Sequence, residues 1–382
     1  MKKNLVVLAV LGCFAGVASA ATNITLYGTV DAGYEDWHGK GDGDGGSGAI
    51  VNAAADRKLE QGGLSENNSK FGIKGQEDLG NGLTATFTVE GEFNVDHGET
   101  NAGQLFNRET TVGLKGSFGE VKVGRAKSQM ELALGGIVPG SRVADVDLYS
   151  VAATRHSNGL FYSYDNAGFS FGADVTTRGG ATGNLTEGVS DNNKIGYGVR
   201  LGYAKQVDGV TMLGRVAHQN DNTERETGGL LAAVIPYANN TNSLTVGVAY
   251  AQGRGLASDL AVAKFGAKNV LAAANANGLP TLTEGQLTDA YTVKKARTLS
   301  AVIASTFGPN DSAYVKYQQR KGTAESGAVA YNGNVWAVGY AHSLSKRTSA
   351  YADVAYARIK NAAGIDGDGK ATGYSIGVAH NF

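Results

Sequence analysis

The 382-residue sequence contains little cysteine, little proline and, beyond its start, no long apolar run. Its only cysteine, Cys13, lies in a segment that we expect to be cleaved off, which leaves a mature chain without disulfides or thiolate chemistry. Only 4 residues are proline, far below the usual share of about 5%, which argues against a proline-rich disordered chain. Since a membrane helix needs about 20 apolar residues, strands would have to cross any membrane.

The charges are nearly balanced, with 34 Lys and Arg against 35 Asp and Glu and a net charge of −1. Proteins that bind nucleic acid usually carry a basic excess, so nucleic acid is not an expected partner. The 6 histidines are scattered and show no metal-binding spacing. We therefore predict no metal, no cofactor and no catalytic residue.

The N-terminal segment has the pattern of a secretory signal peptide. Two lysines precede an apolar stretch at 5–17, and small residues fit a cleavage site after Ala20. We expect residues 1–20 to be removed and residues 21–382 to form one transmembrane β-barrel domain. A lipid anchor on Cys13 is an alternative, although the apolar stretch before it would be very short.

Glycine accounts for 56 residues, about twice its usual share, which fits many strands joined by glycine-containing turns. The segments 24–34 and 83–93 alternate between the two faces of a strand. In the second segment the apolar residues occupy one face, whereas threonine and glutamate occupy the other. The last segment, 372–382, also alternates and ends on an aromatic residue, which suggests that this strand closes a barrel.

The predicted connections alternate between short and long. Tight turns are predicted at 77–82, 117–120, 166–168, 206–209, 308–311 and 342–347, and long loops at 39–67, 94–105, 126–158, 178–194 and 220–242. Outer-membrane barrels have this alternation because successive strand ends face different compartments. With one further strand placed at 256–265, the estimate is about sixteen strands. Twelve or eighteen strands also fit the length, and a soluble β-sandwich is the other interpretation.

Short stretches spread over most of the chain carry a family likeness. They are LYGTVD at 26–31, SKFGIKG at 69–75, EDLG at 77–80, FNR at 106–108, GFSFG at 168–172, HSLSKRT at 342–348 and the terminal Phe382. In this order and spacing they resemble a Gram-negative general, non-specific trimeric porin of the β-proteobacterial type.

This resemblance implies an all-β fold, a sixteen-stranded antiparallel transmembrane β-barrel whose third loop, here about residues 126–154, folds inward. It implies a homotrimer in the outer membrane of a Gram-negative bacterium, in contact with outer-membrane lipid and lipopolysaccharide. Phe382 would be the C-terminal signal read by the outer-membrane assembly machinery. The implied function is a water-filled channel for passive diffusion of small hydrophilic solutes and ions.

The family also has a row of basic side chains on the barrel wall that faces acids on the third loop. Carried over position by position, the basic row falls on Lys70, Arg108 and Arg155, with Arg125 nearby. Lys70 keeps the charge of the more frequent arginine but lacks its planar fork. The acids on the predicted loop are Glu131, Asp145 and Asp147. The sequence does not distinguish between these three, and the basic row suggests a weak preference for anions.

One position conflicts with simple alternation. Counting by twos places Arg108 on the same face as the apolar Val112 and Leu114. Either a β-bulge intervenes, or that face is the lumen and Thr111 points outward. The family match favours the lumen for Arg108.

Two other functions are compatible with an outer-membrane barrel. A channel selective for a sugar, a phosphate or an organic acid would need a fixed binding track, such as a ladder of aromatic side chains. A barrel hydrolase acting on lipid would need a serine near a histidine base. The stretch 168–172 matches the G-x-S-x-G pattern of such a serine, but it continues as an alternating strand instead of a turn and a helix.

Overall fold

The computed structural model describes residues 23–42, 69–95, 98–100, 104–137, 155–177, 195–220, 225–256, 293–324, 329–362 and 365–382. The predicted signal peptide lies outside the described residues, and so do Asp145 and Asp147 of the third loop. The described residues form a closed barrel of sixteen strands together with one short helix.

The strands follow one another around the barrel in chain order. They are β1 (Asn23–Asp42), β2 (Lys70–Gly80), β3 (Leu83–Glu92), β4 (Glu109–Gly116), β5 (Gly119–Lys127), β6 (Arg155–Asn166), β7 (Phe169–Thr176), β8 (Gly196–Val207), β9 (Val210–Asn220), β10 (Arg225–Tyr237), β11 (Asn242–Leu256), β12 (Val293–Phe307), β13 (Asp311–Ala324), β14 (Val329–Ser343), β15 (Thr348–Ala362) and β16 (Ile365–Asn381). All pairings are antiparallel, and β1 pairs with β16, so the wall has no open edge.

The helix, α1 (Gln129–Leu134), lies in the third long loop, between β5 and β6. Ser128 caps its N-terminus, because its Oγ accepts a hydrogen bond from the backbone N–H of Glu131 at 3.2 Å. Within the described part of the chain, no helix has the length and apolarity to cross a membrane.

Outward and inward side chains differ in chemistry along the same strand. On β8 the outward Val199 and Leu201 are 38% and 55% exposed, whereas Arg200 between them is buried. On β16 Ile376 is 61% exposed and the neighbouring Ser375 is buried. Because transfer of apolar surface out of water is favourable by about 25 cal/mol per Å², such an outer band belongs in hydrocarbon. A closed barrel also leaves no unpaired strand edge in lipid.

The two ends of the described chain meet where the barrel closes. The backbone N–H of Gly28 donates to the carbonyl of Phe382 at 3.2 Å, and the Phe382 N–H donates back to the Gly28 carbonyl at 3.1 Å. The Phe382 ring occupies the space beside Gly28 where any Cβ would overlap it. The prediction that the last strand closes a barrel is therefore confirmed.

The tight turns come from residues that adopt left-handed backbone. Asn81, Ala167 and Asp208 have φ of 54°, 49° and 49°, and each precedes a glycine that also has positive φ. Two successive left-handed residues form a type I′ turn, which matches the twist of paired strands. The turns predicted at 77–82, 166–168 and 206–209 are present, although β2 continues as far as Gly80.

Several sequence-based predictions about the strands are wrong. The predicted loop at 220–242 contains β10, and β1 continues into the predicted loop as far as Asp42. The first residue of the predicted strand at 256–265, Leu256, is the last residue of β11, and the rest of that segment lies outside the described residues. Because β11 pairs directly with β12, no further strand lies between them in the barrel wall. The strand count is still sixteen because these two errors cancel. The closed wall excludes twelve strands, eighteen strands and a β-sandwich.

The centre of the missed strand β10 has apolar residues on both faces. Its centre reads LLAAVI at 230–235, which does not alternate, so it lacks the usual signal of a half-solvated strand. Leu230 points inward and is 2% exposed, yet it meets a hydrophobic cluster instead of water. The alternation is lost because α1 covers this part of the wall.

Candidate functional site: the channel interior

The described part of the third long loop, up to residue 137, folds into the barrel. Although α1 follows β5, it packs against the inner faces of β8, β9 and β10. Met130, Ala133 and Leu134 of α1 are buried in one cluster with inward residues of four strands. These wall residues are Ala217, Leu230, Ala249, Ala251 and Val302. The predicted inward-folded third loop is therefore confirmed.

Two arginines of the barrel wall donate hydrogen bonds to the two ends of α1. Arg215 Nη1 donates to the carbonyl oxygens of Leu132 and Gly135 at 3.3 and 3.1 Å, at the C-terminal end of α1. A cation is favourable at this end of a helix, where carbonyl groups lack partners. Arg200 Nε donates to Gln129 Oε1 at 3.5 Å, at the other end of α1.

Glycines in the wall make room for the helix. A Cβ added at Gly172 of β7 would overlap the Gln129 side chain. Cβ atoms at Gly198 and Gly228 would lie 3.2 Å from Gln129 Cγ and from Met130 Sδ. The position of α1 is thus set by apolar packing, by arginine hydrogen bonds and by missing side chains in the wall.

The G-x-S-x-G stretch has a structural explanation. Gly168 belongs to the β6–β7 turn, and the following residues continue directly into β7. Ser170 Oγ accepts a hydrogen bond from Arg200 Nη1 at 3.2 Å. A nucleophile elbow requires a strand, a sharp turn and a helix, and the order found here is strand, turn, strand.

The structure brings the four predicted basic residues together on one wall. Lys70 begins β2, Arg108 directly precedes β4, Arg125 lies on β5 and Arg155 begins β6. Lys70 interacts electrostatically with Arg108 and Arg155, and Arg125 interacts with Arg155. Lys127, two residues after Arg125, also interacts with Lys70. Like charges held this close create a positive potential along the wall.

Two acids that sequence reasoning did not assign to the site neutralise part of this charge. Arg108 Nε donates to Glu90 Oε1 at 2.6 Å, and its Nη1 donates to Glu92 Oε2 at 3.2 Å. Tyr27 OH donates to the other oxygen of Glu90 at 2.9 Å. Glu92 is also the cross-strand partner of Lys70. A signal for both acids existed, because they lie on the polar face of the segment 83–93.

The orientation of Arg108 resolves the conflict in alternation. Val112 is 58% exposed on the outer face and Thr111 is buried, so the interpretation that places Thr111 outward is wrong. β4 begins only at Glu109, and the register with β3 shows no bulge there. Arg108 therefore lies just outside the regular pleat and turns to the inside, where its acid partners are.

Of the three acids predicted on the loop, only Glu131 falls within the described residues. It belongs to α1, and its Oε1 lies 3.5 Å from Lys127 Nζ. It also interacts electrostatically with Arg155, whose Nε is buried and has no hydrogen-bond partner among the described residues. Glu131 thus lies beside the basic wall. Asp145 and Asp147 lie outside the described residues, so their predicted place in the site stays a prediction.

A buried pair lies next to this wall. His156 Nδ1 is 2.6 Å from Asp174 Oδ2, and both side chains are fully buried. Among the described residues, no group of three or more His, Cys, Asp and Glu has an arrangement that could hold a metal ion.

A closed barrel with an apolar outer face, a polar inner face and a helix folded inside defines a channel of the outer-membrane type. The chain belongs to the Gram-negative porin family, whose model matches residues 7–362. Outer membrane porin protein 32 of Delftia acidovorans is 29% identical to it in an alignment of 407 residues that covers 100% of both chains. An outer membrane porin protein of Bordetella pertussis is 29% identical in an alignment of 412 residues, which also covers 100% of both chains.

A solved structure shares the fold. The anion-selective porin from Comamonas acidovorans matches with a TM-score of 0.60 and 21% identity, over 94% of this chain and 100% of that chain. The family and these relatives assign the protein to the outer membrane, as a channel for passive diffusion. They point to a channel and not to an enzyme.

Proposed function

We propose that the protein is a general diffusion porin with a weak preference for anions. The residues that we propose to carry this preference are Lys70, Arg108, Arg125 and Arg155. A water-filled lumen spares hydrophilic solutes the cost of dehydration, and charged side chains on its wall bias the choice of ions. The observation that supports the proposal most strongly is the clustering of these side chains on one wall beside α1.

The charge balance of the cluster favours anions. Among the described residues, five basic side chains, including Lys127, interact with three acids, Glu90, Glu92 and Glu131, which leaves a net charge of +2. Chloride and small organic anions would therefore be enriched near this wall relative to potassium. Small neutral solutes would pass as well, since nothing in the proposal requires a charge on the solute.

The assembly and surroundings that we propose follow the family resemblance. Three copies would associate, with outer-membrane lipid and lipopolysaccharide around them. The assembly machinery would read Phe382, and residues 1–20 would be removed on export. Phe382 supports this role in one respect, because its backbone and ring are part of the barrel closure at Gly28.

Replacement of Arg108 and Arg155 by alanine tests the proposed roles. We expect the reversal potential in a KCl gradient across a planar bilayer to move toward the equilibrium potential of potassium. In about 0.1 M KCl, screening roughly halves the interaction of about 0.5 kcal/mol between an ion and a charge about 8 Å away. Because each charge acts with opposite sign on chloride and potassium, removal of the pair should lower the chloride-to-potassium permeability ratio about fivefold. Lys205→Ala, which removes a charge from an exposed position near the β8–β9 turn, is the control. An unchanged reversal potential in the double variant would contradict the assignment.

A further inference from the structure

A second group of polar side chains lies on another part of the inner wall. Lys316, Gln318 and Arg320 occupy alternate positions of β13, and none is more than 4% exposed. β13 is eight strands away from β5 in the ring of sixteen, so it lies opposite the strand that carries Arg125 and Lys127. Positive charge is therefore present on both sides of the interior.

Arg320 has donors that nothing in the described structure uses. It is 3% exposed, and its Nε and Nη2 have no hydrogen-bond partner among the described residues. Its direct register partner on β12 is Thr298, which is 1% exposed and whose Oγ1 likewise has no partner in the described part of the chain. A buried polar group without a partner is destabilising, so two such groups on paired positions of neighbouring strands indicate a place for a ligand.

The chemistry of these atoms selects the ligand. Nε–H and Nη2–H lie on the same edge of the guanidinium plane and point in parallel, which matches the two oxygens of a carboxylate. The Thr298 hydroxyl adds a third hydrogen bond from the neighbouring strand. On the other side of Arg320 the register partner is Gly333 of β14, which has no side chain to fill the space.

The neighbouring residues of β13 are occupied elsewhere. Gln318 Nε2 donates to Ser300 Oγ at 3.4 Å. Lys316 is four residues from Arg320, about 13 Å along a strand, and its Nζ lies 5.0 Å from the centre of the Tyr314 ring. Arg320 and Thr298 thus form the part of this row that is equipped for an added anion.

We propose that Arg320 and Thr298 bind the carboxylate group of a small organic anion on its way through the channel. The inference rests on the proposed function, because the ligand would reach this place through a water-filled lumen. Binding would be weak and reversible, since a conducting channel must release what it binds. The site would favour organic acids over chloride, because a carboxylate has two oxygens that can accept from both N–H groups and the hydroxyl at once.

Blockade of single-channel chloride current by succinate tests this proposal. The purified protein and its variants are placed in planar bilayers in KCl, and succinate is added in increasing concentration. For the wild type we expect a saturating decrease of the current. Arg320→Gln should raise the apparent Kd about tenfold, because it removes a charge-assisted bidentate contact. Arg320→Lys keeps the charge but loses the fork, so it should also bind succinate more weakly than the wild type.

Two further variants make the test specific. Thr298→Val removes only the hydroxyl and should raise the apparent Kd, and it serves as the second test if Arg320→Gln does not fold into a heat-modifiable barrel. Arg297→Gln changes the charge at the neighbouring position, whose side chain is exposed, and should leave blockade unchanged.

The outcomes separate the inference from the function on which it rests. Equal succinate blockade in wild type, Arg320→Gln and Thr298→Val would overturn the site, and so would the absence of blockade in wild type. An equal loss in Arg297→Gln would show a net-charge effect and overturn it as well. Blockade by inorganic phosphate but not by succinate would overturn the assignment to carboxylates. If the folded wild type gave no current at all, the proposed function itself would fail.

Discussion

Arg108 illustrates how single residues set the field inside the barrel. Its guanidinium is held by Glu90 and Glu92 at 2.6 and 3.2 Å, so its position is fixed while much of its charge is offset. Arg125, by contrast, donates to neutral oxygens of Asn107 and Ser157. Arginines held by neutral acceptors leave more positive potential for a passing ion than arginines held by carboxylates.

Removal of one of these carboxylates should strengthen the preference for anions. In Glu92→Gln the side chain keeps its volume, and Arg108 keeps its bond to Glu90. A negative charge about 8 Å from the ion path contributes about 0.25 kcal/mol per ion after screening in about 0.1 M KCl, with opposite sign for chloride and potassium. Its loss should therefore raise the anion-to-cation permeability ratio about twofold. The reversal potential in a KCl gradient measures this ratio.

Glu77→Gln is the matched control for this prediction. Glu77 lies close to the β2–β3 turn, far along the strand from Lys70, and its replacement removes the same charge. A shift of equal size in both variants, or none in Glu92→Gln, would show that Glu92 does not act on the ion path.

The sequence could predict that certain basic residues lie near one another, but only in part their surroundings. The resemblance placed Lys70, Arg108, Arg125 and Arg155, and the structure gathers them on one wall. Counting by twos placed Arg108 on the outer face with Val112 and Leu114. This prediction is wrong because the regular alternation of β4 begins only at Glu109. The acids that orient Arg108 lie sixteen and eighteen residues earlier on β3, and no local pattern reveals such a pairing.

At the scale of elements, α1 and the wall beneath it depend on each other. The helix is only one and a half turns long, and a helix of this length is not stable in water by itself. Its place comes from the cluster around Met130 and Leu230 and from the hydrogen bonds of Arg215. The channel cross-section is therefore sensitive to residues that no solute needs to touch.

A cavity under the helix should loosen it without opening the barrel. Leu230→Ala removes a side chain that is 2% exposed, at a typical cost of roughly 2–5 kcal/mol. Strand pairing is made by the backbone and should persist. We expect higher and noisier single-channel conductance, together with faster cleavage of the segment 126–154 by added protease.

Leu231→Ala is the control on the same strand. Leu231 is 65% exposed on the outer face, so its truncation creates no cavity inside the barrel. Current noise and protease cleavage that are the same in both variants would contradict the role of Leu230 in holding α1.

The same packing explains the largest error of the sequence-based prediction. Alternation identified strands such as β3 and β16, where one face meets water and the other meets hydrocarbon. The centre of β10 is apolar on its inner face as well, because α1 covers Leu230, so this part of the strand does not have the pattern of a half-solvated strand. A sequence read locally cannot show that a loop from elsewhere in the chain will cover a strand.

At the scale of the molecule, the barrel depends on closure between β1 and β16. Gly28 and Phe382 exchange two backbone hydrogen bonds, and the aromatic ring fills the space beside the glycine. The alternating strands and the alternating connection lengths predicted the architecture correctly. The fit between these two residues involves opposite ends of the barrel domain and could not be read from either end alone.

A side chain at Gly28 should therefore impair closure. In Gly28→Val the new Cβ would overlap the Phe382 ring and approach the Lys70 carbonyl, and such overpacking typically costs about 1–3 kcal/mol. We expect a smaller fraction of heat-modifiable barrel after refolding in detergent and a lower urea midpoint. Ala32→Val adds bulk at an exposed position of the same strand and should leave both quantities unchanged. Equal behaviour of the two variants would contradict the role of Gly28.

The reversal potential of the purified wild-type protein tests most directly the claim that this barrel encloses an aqueous, anion-preferring path. In a planar bilayer with a KCl gradient we predict stepwise currents whose reversal potential lies between zero and the equilibrium potential of chloride. The claim would be contradicted if heat-modifiable protein gave no current steps. It would also be contradicted by a reversal potential between zero and the equilibrium potential of potassium.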